Sequence, residues 1–514
     1  MENSIREQKD CLRVQATVCD RQIATEIASD FSIPDYQPEI KRILRVQATV
    51  LPADRYIGVG SAEFSGRVDY NILYVGNDGA LYSTVQSEPY QFSTPLELTS
   101  DFELNEGFVC DVESVCDMAV GRLSAPRKFS VKCRLRSRVR IYGTKCREVS
   151  MIGGSPEGLQ RLCGTADCAR IFCGVGEPFM LGDDVLCDAQ AGDLRVIGGE
   201  GQVFITEAGA GSGVVNCRGE VALKLLCCHD GEDSTPTPIL RRIPFTQSVP
   251  VEGVEINCDA TAEGVCKDLQ MTVEEGRILC EVGVCLTVRA QRNEQVGFVR
   301  DLYSTEIESE SSYAPCACLH AVKSVNGNFS IGTALSLDEA GIKANAGLVD
   351  FSLTPMLTDF EYEHGKYYLS GRARCAAVTA MDGELSVQEF EIPFRYECDA
   401  AGDAVVDYNA TVSPISCRAR MDGERIGVDA ELAVSLSTRS ECCFHMLSQA
   451  KFGECVPRVG AVYTVCYPAR DDTLWSVAKR YHRSVDAIAE LNSLAGAPAA
   501  DSAESLAGVK YLLV

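Results

Sequence analysis

Three segments of this chain repeat one another at a domain-sized interval, and that repetition limits what it can fold into more than any other feature. Phe64-Ser65-Gly66-Arg67-Val68, Cys217-Arg218-Gly219-Glu220-Val221 and Leu369-Ser370-Gly371-Arg372-Ala373 each open an apolar strand. An Asp-Gly turn follows eleven or twelve residues after each glycine, at Asp78-Gly79, Asp230-Gly231 and Asp382-Gly383, flanked by alternating residues as a hairpin requires. The copies lie about 150 residues apart, too long a period for a solenoid. Tyr90-Gln91-Phe92, Ile243-Pro244-Phe245 and Ile392-Pro393-Phe394 then close a strand in each copy. Residues 131–141, 278–288 and 426–436 alternate at period two as the last hairpin. This pattern predicts a mainly β chain with three tandem antiparallel sandwich-like domains, at residues 1–155, 156–305 and 306–452.

Composition narrows the functional classes. With 46% hydrophobic and 24% charged residues the chain is globular, and its 514 residues suffice for several domains. A net charge of -25 argues against a nucleic-acid partner, because phosphate binding needs clustered Lys and Arg. No run of eighteen apolar residues is present and residues 1–10 lack the apolar core of a signal peptide, which predicts a cytoplasmic protein without a transmembrane segment. The 26 cysteines fall largely at inward strand positions such as Cys133, Cys280, Cys285 and Cys375, where a reduced thiol acts as a small hydrophobe. In the adjacent pairs Cys227-Cys228 and Cys442-Cys443, strand alternation places one member nearer solvent.

One strand carries an unusual face. Between Val131 and Ile141 every even position is basic, so Lys132, Arg134, Arg136, Arg138 and Arg140 form a stripe. It is a candidate docking surface, and the competing expectation is a solvated or edge-protecting face, paired in part with acids of a neighbouring domain.

Catalytic chemistry is poorly supported. The five histidines sit in no nucleophile or zinc-protease motif. Cys316-Ala317-Cys318-Leu319-His320 and Cys442-Cys443-Phe444-His445 lack the paired C-x-x-C spacing of a zinc site. Gly198-Gly199-Glu200-Gly201 and Gly209-Ala210-Gly211-Ser212-Gly213 lack a P-loop ending and read as loops, and Asp183-Asp184 is weak support for a glycosidase. No enzyme activity, cofactor or metal is expected.

The last sixty residues have a different pattern. Thr473 is placed to cap a helix whose i, i+3, i+4, i+7 face holds Leu474, Val477, Ala478 and Tyr481. Ser484 can cap a second helix burying Val485, Ile488 and Leu491, with strands at Tyr463-Thr464-Val465 and residues 510–514 on either side. This β-α-α-β unit, residues 453–514, resembles a LysM domain. The resemblance implies a binding module, with Asp471, Asp472, Thr473, Leu474, Trp475, Lys479, Arg480, Leu491 and Asn492 as candidate contacts for a glycan or a protein. Trp475, the only tryptophan, either stacks on a ligand or packs at the edge of its helix.

Residues 31–44 combine an extended Pro34-containing stretch with an expected short helical turn. They are flanked by two copies of Leu-Arg-Val-Gln-Ala-Thr-Val, at residues 12–18 and 44–50, which suggest two like strands bracketing a turn. Together with the repeats and the terminal unit, this block resembles the SPOCS-domain spore-coat morphogenetic proteins of clostridia. That resemblance implies a scaffold in the mother-cell cytoplasm at the forespore surface, binding a coat-morphogenetic ATPase (SpoIVA-like) and other coat proteins. The alternative is an anchor that binds peptidoglycan of cell wall or spore cortex, and a third expectation, a wall hydrolase, lacks catalytic groups.

Overall fold

The structure, a computed structural model, describes residues 11–58, 60–99, 102–103, 107–152, 157–186, 194–229, 236–274, 277–400, 405–456, 463–494, 506 and 509–514. The expected Asp230-Gly231 turn lies outside them; Asp78-Gly79 and Asp382-Gly383 are turns as read. The first sandwich comprises β1 (Cys11–Ser32), β2 (Ile40–Val50), β3 (Asp54–Ile57), β4 (Ser61–Gly76), β5 (Leu81–Pro95), β6 (Phe108–Ala125) and β7 (Lys128–Glu148), followed by β8 (Ser150–Ile152). The second comprises β9 (Leu159–Val175), β10 (Phe179–Leu186), β11 (Leu194–Ala210), β12 (Val214–His229), β13 (Thr237–Pro250), β14 (Asp259–Glu274) and β15 (Arg277–Ser304). The third comprises β16 (Ile307–Ser336), β17 (Gly347–Glu363), β18 (Lys366–Met381), β19 (Glu384–Asp399), β20 (Asp407–Asp422) and β21 (Arg425–Cys455).

Connectivity is the same each time. One sheet runs β1-β7-β6, β9-β15-β14 and β16-β21-β20, all antiparallel. The facing sheet centres on β4, β12 and β18, each with its hairpin return on one side and, on the other, β11 in the second sandwich, β17 in the third and both β2 and β3 in the first. In the second sandwich Gly176-Glu177-Pro178 splits the first strand into β9 and β10, because Pro178 has no N–H to give the ladder.

The repeated glycine has a packing cause. Gly66 lies opposite Tyr90, Gly219 opposite Phe245 and Gly371 opposite Phe394. A Cβ on Gly371 would meet the Phe394 ring and the Met356 carbonyl oxygen at 2.4 Å, so the aromatic ring fills the space that a side chain would need. The register also makes Tyr90, not Phe92, the counterpart of Phe245 and Phe394.

Four expectations change. Gly198-Gly199-Glu200-Gly201 is strand, not loop, and its glycines admit the close approach of Leu269, Met271 and Cys266 from the opposite sheet. Residues 31–44 contain no helical turn: the chain turns at Asp35-Tyr36-Gln37 and enters β2 directly. Arg127 in the β6–β7 turn donates to the carbonyls of Pro34 and Gln37 at 3.1 and 3.2 Å, supplying bonds a helical turn would otherwise make. The two identical heptapeptides fall in β1 and β2, strands that bracket this turn as read, although the two strands belong to different sheets. Most cysteines are buried thiols, but Cys11 and Cys146 form a disulfide, and both Cys227 and Cys228 are buried, the latter among apolar residues of neighbouring sandwiches.

The sandwiches form a closed set in which each touches the other two. One apolar cluster joins Leu12 and Val14 to Cys168, Phe298, Cys318 and Met446; a second joins Leu73 and Leu81 to Ile197, Leu226, Val349 and Val378. Both draw on all three sandwiches. β8 adds to the arrangement by pairing in parallel with β21, Ser150 opposite Gln449.

Candidate functional site

The C-terminal unit consists of β22 (Val465–Cys466), α1 (Leu474–Arg480), α2 (Val485–Leu491) and β23 (Leu512–Leu513), with β22 and β23 antiparallel. Its helices start where side-chain oxygens satisfy free backbone N–H groups. Thr473 Oγ1 accepts from Ser476 N at 3.1 Å while Ser476 Oγ accepts from Thr473 N at 2.9 Å, a reciprocal capping box. Ser484 caps α2 through Ala487 N at 3.2 Å. Leu474, Val477, Ala478, Val485 and Ile488 are buried together, while Leu491, expected inside, is exposed at the end of α2.

Most of the expected contact residues hold this unit together. Asp472 is buried and accepts from Arg480 at 2.6 Å, Ala469 N at 2.9 Å and Ser476 Oγ at 3.2 Å. Arg480 above all, with the Ala469 amide, keeps its carboxyl below the ordinary carboxylate value. Asn492 ties α2 to β23, donating to Leu513 O and accepting from Leu513 N, each at 2.7 Å. Thr473 is a cap and Leu474 is core, which leaves Asp471, Arg480 and Leu491 as the exposed members of the set.

Trp475 and Lys479 face the second sandwich. The indole Nε1 donates to Asp301 Oδ2 at 2.8 Å, and Lys479 Nζ reaches the two Asp301 oxygens at 2.7 and 2.9 Å. Tyr303 packs edge-on against Trp475, ring centroids 4.8 Å apart, and its hydroxyl donates to Arg483 O at 2.7 Å. Burial would raise the Asp301 pKa, but the bonds from Lys479 and Trp475 outweigh it and hold the carboxyl below its usual value. Packing, not ligand stacking, is therefore the state of Trp475 in this conformation.

Sequence reasoning missed the opposite side of the unit. Tyr463, Val465 and Tyr467 alternate with buried Cys466, and Tyr467 and Tyr511 flank the Cys466–Leu512 strand pair on its outer end. Tyr467 is 76% exposed, Tyr511 58% and Tyr463 60%, giving an exposed aromatic face among the described residues. The signal was the period-two spacing of Tyr463 and Tyr467, hidden by reading only residues 463–465 as strand.

The basic stripe divides. Lys132 and Arg134 are exposed, Arg136 pairs with Asp117 at 3.2 Å, and Arg138 pairs with Asp20 at 2.9 Å. Arg140 is 1% exposed and bonds Asp111 at 2.8 Å. It therefore presents no continuous cationic surface, because its far end enters a junction between sandwiches. There Arg289 bonds Asp111 at 2.7 Å and also Glu263, Asn409 donates to Asp111, and Arg439 and Tyr142 reach Asp407 at 2.7 and 3.1 Å. Burial raises the Asp111 pKa, but Arg289 and Arg140 overcome it and hold it well below the carboxylate range. A second such junction joins Arg45 to Asp350 at 3.1 Å and to Glu200, with Lys224 on Asp350 at 2.6 Å.

A cavity of about 850 Å³ adjoins the first junction, whose Arg289 and Glu263 line it. Matching segments of the sandwiches line it: 47–53 and 112–116, 201–206 and 262–266, 353–359 and 410–415. The ladders of β6, β14 and β20 each carry a register shift there, at Cys116/Met118, Cys266/Asp268 and Pro414/Ser416. Glu113 lines the cavity, and burial first, then Glu263, pushes its carboxyl up to about 7.

Residues 469–497 match the LysM domain family model. No curated protein and no solved structure matches the chain. Among the described residues no helix is long and apolar enough to cross a membrane.

Proposed function

We propose that this chain is a non-enzymatic anchor whose C-terminal LysM unit binds an N-acetylglucosamine-containing glycan such as peptidoglycan, with the three sandwiches as the body it positions. The observation carrying this reading is the family match at residues 469–497 beside the exposed tyrosine face of β22 and β23. A tyrosine ring offers a broad apolar surface with a polar tip, suited to the apolar face and hydroxyl rim of a sugar ring. Trp475 is not free for that task while it is bonded to Asp301. Co-sedimentation of the full chain with insoluble peptidoglycan tests the reading. Retention released by soluble N-acetylglucosamine oligomers, and weakened at least tenfold by Tyr467→Ala with Tyr511→Ala, supports it; no retention of the unaltered chain contradicts it.

A second reading is the coat scaffold, in which the same unit binds a SpoIVA-like coat ATPase in the mother-cell cytoplasm. It requires the α1 face that carries Trp475 and Lys479 to exchange Asp301 for a carboxylate of the partner. Capture of the purified ATPase by the full chain, without glycan retention, selects this reading.

A further inference from the structure

We propose that Cys168 and Cys318 are a disulfide site that covalently joins the second sandwich to the third, with Cys442 as the thiol through which oxidant reaches it. Cys168 lies on β9 and Cys318 on β16, 150 residues apart in sequence, yet their sulfurs are 2.7 Å apart. Both are buried in the apolar cluster shared by the three sandwiches, at 2% and 4% exposure. Their proximity therefore results from packing between sandwiches and not from neighbouring positions on one strand.

Cys442 completes the set. It sits directly opposite Cys318 in the β16–β21 register. Unlike the other two it is partly exposed. A low-molecular-weight disulfide can thus reach Cys442, whereas Cys168 and Cys318 are shielded.

The exchange balances with such a disulfide, RSSR, as oxidant. The Cys442 thiolate attacks one sulfur of RSSR, forming a mixed disulfide and releasing one RSH. The Cys318 thiolate attacks the Cys442 sulfur, forming a Cys318–Cys442 bond and releasing the second RSH. The Cys168 thiolate then attacks the Cys318 sulfur and returns Cys442 to its thiol. Two protein thiols become one disulfide, RSSR becomes two RSH, and both protons leave on them. The final bond closes a long loop, which restricts the unfolded chain.

The test treats the folded, reduced full chain with oxidised glutathione, alkylates free thiols and maps disulfides by peptide mass spectrometry. The expected product links the Cys168 and Cys318 peptides, is abolished by Cys168→Ser, and forms at least tenfold more slowly in Cys442→Ser with the same end point. It raises the thermal unfolding midpoint by on the order of 5 °C, reversibly with dithiothreitol. Alkylated Cys168 and Cys318 at the end point, or a terminal Cys318–Cys442 bond with Cys168 free, overturns the proposal. The peptide map uses the unaltered chain, so the result does not depend on a variant folding.

Discussion

Trp475 donates its indole N–H to Asp301 across 174 residues of sequence, and Lys479 binds the same carboxylate at both oxygens. One acid at a register shift of β15, between Val299 and Asp301, thereby fixes the terminal unit against the second sandwich. The shift suits that role, because a bulge bends its strand and re-aims a side chain.

Asp301→Ala should release this contact without unfolding the unit, whose caps are local. It leaves the indole N–H and an ammonium group without their acceptor, a cost of about 1–3 kcal/mol at the interface. Because Trp475 is the only tryptophan, its emission reports the change directly. A red shift with stronger acrylamide quenching is expected, and unchanged emission would show that the carboxylate does not hold the unit in place.

The junction of Asp111 with Arg140 and Arg289 predicts a contrast between two acids. Asp111→Ala removes the carboxylate shared by two guanidiniums that are 1% and 5% exposed and should cost about 3–5 kcal/mol in urea unfolding. Asp20→Ala, at the more exposed Arg138, should cost under about 1 kcal/mol. Equal effects would contradict the buried-junction description.

Stability should rise on mild acidification through Glu113. Its folded pKa of about 7 lies above the unfolded value of 4.5, so the folded chain holds the proton more tightly. The penalty is fully present above about pH 7 and is relieved as pH falls towards 4.5, a gain on the order of 3 kcal/mol. Asp301, Asp350 and Asp407, with lowered values, act oppositely: their stabilisation is present above 3.8 and is lost as pH falls below it. Glu113→Gln should flatten the profile of urea midpoint between pH 8 and 5; an unchanged slope would exclude Glu113 as its source.

Gly371→Ala should destabilise by roughly 1–3 kcal/mol, since its Cβ meets Phe394 and the Met356 carbonyl. Phe394→Leu in the same chain should recover part of that loss. Additive losses in the double variant would mean that ring and glycine do not share the space.

What was legible in the sequence was local or periodic. Thr473 and Ser484 announced both helices through capping chemistry, and the Gly66, Gly219 and Gly371 motifs announced three sandwiches through repetition. The long-range partners were not legible. Arg140 and Lys132 look alike on an alternating strand, yet Asp111 and Asp407 bury one while water keeps the other. Identical heptapeptides likewise take different roles: Arg45 enters a buried junction, whereas Arg13 pairs with Glu103 at the surface. Gly199 and Gly201 misled for a related reason, because the β14 side chains that require them lie more than sixty residues away.

We propose that the terminal unit binds glycan through its tyrosine face while its tryptophan face stays engaged with Asp301. Isothermal titration of the full chain with a soluble N-acetylglucosamine hexamer tests this most directly. Saturable binding at one site per chain is expected, kept in Trp475→Phe and lost in Tyr467→Ala with Tyr511→Ala. Absence of binding by the unaltered chain, or binding lost in Trp475→Phe and kept in the tyrosine variant, would contradict it.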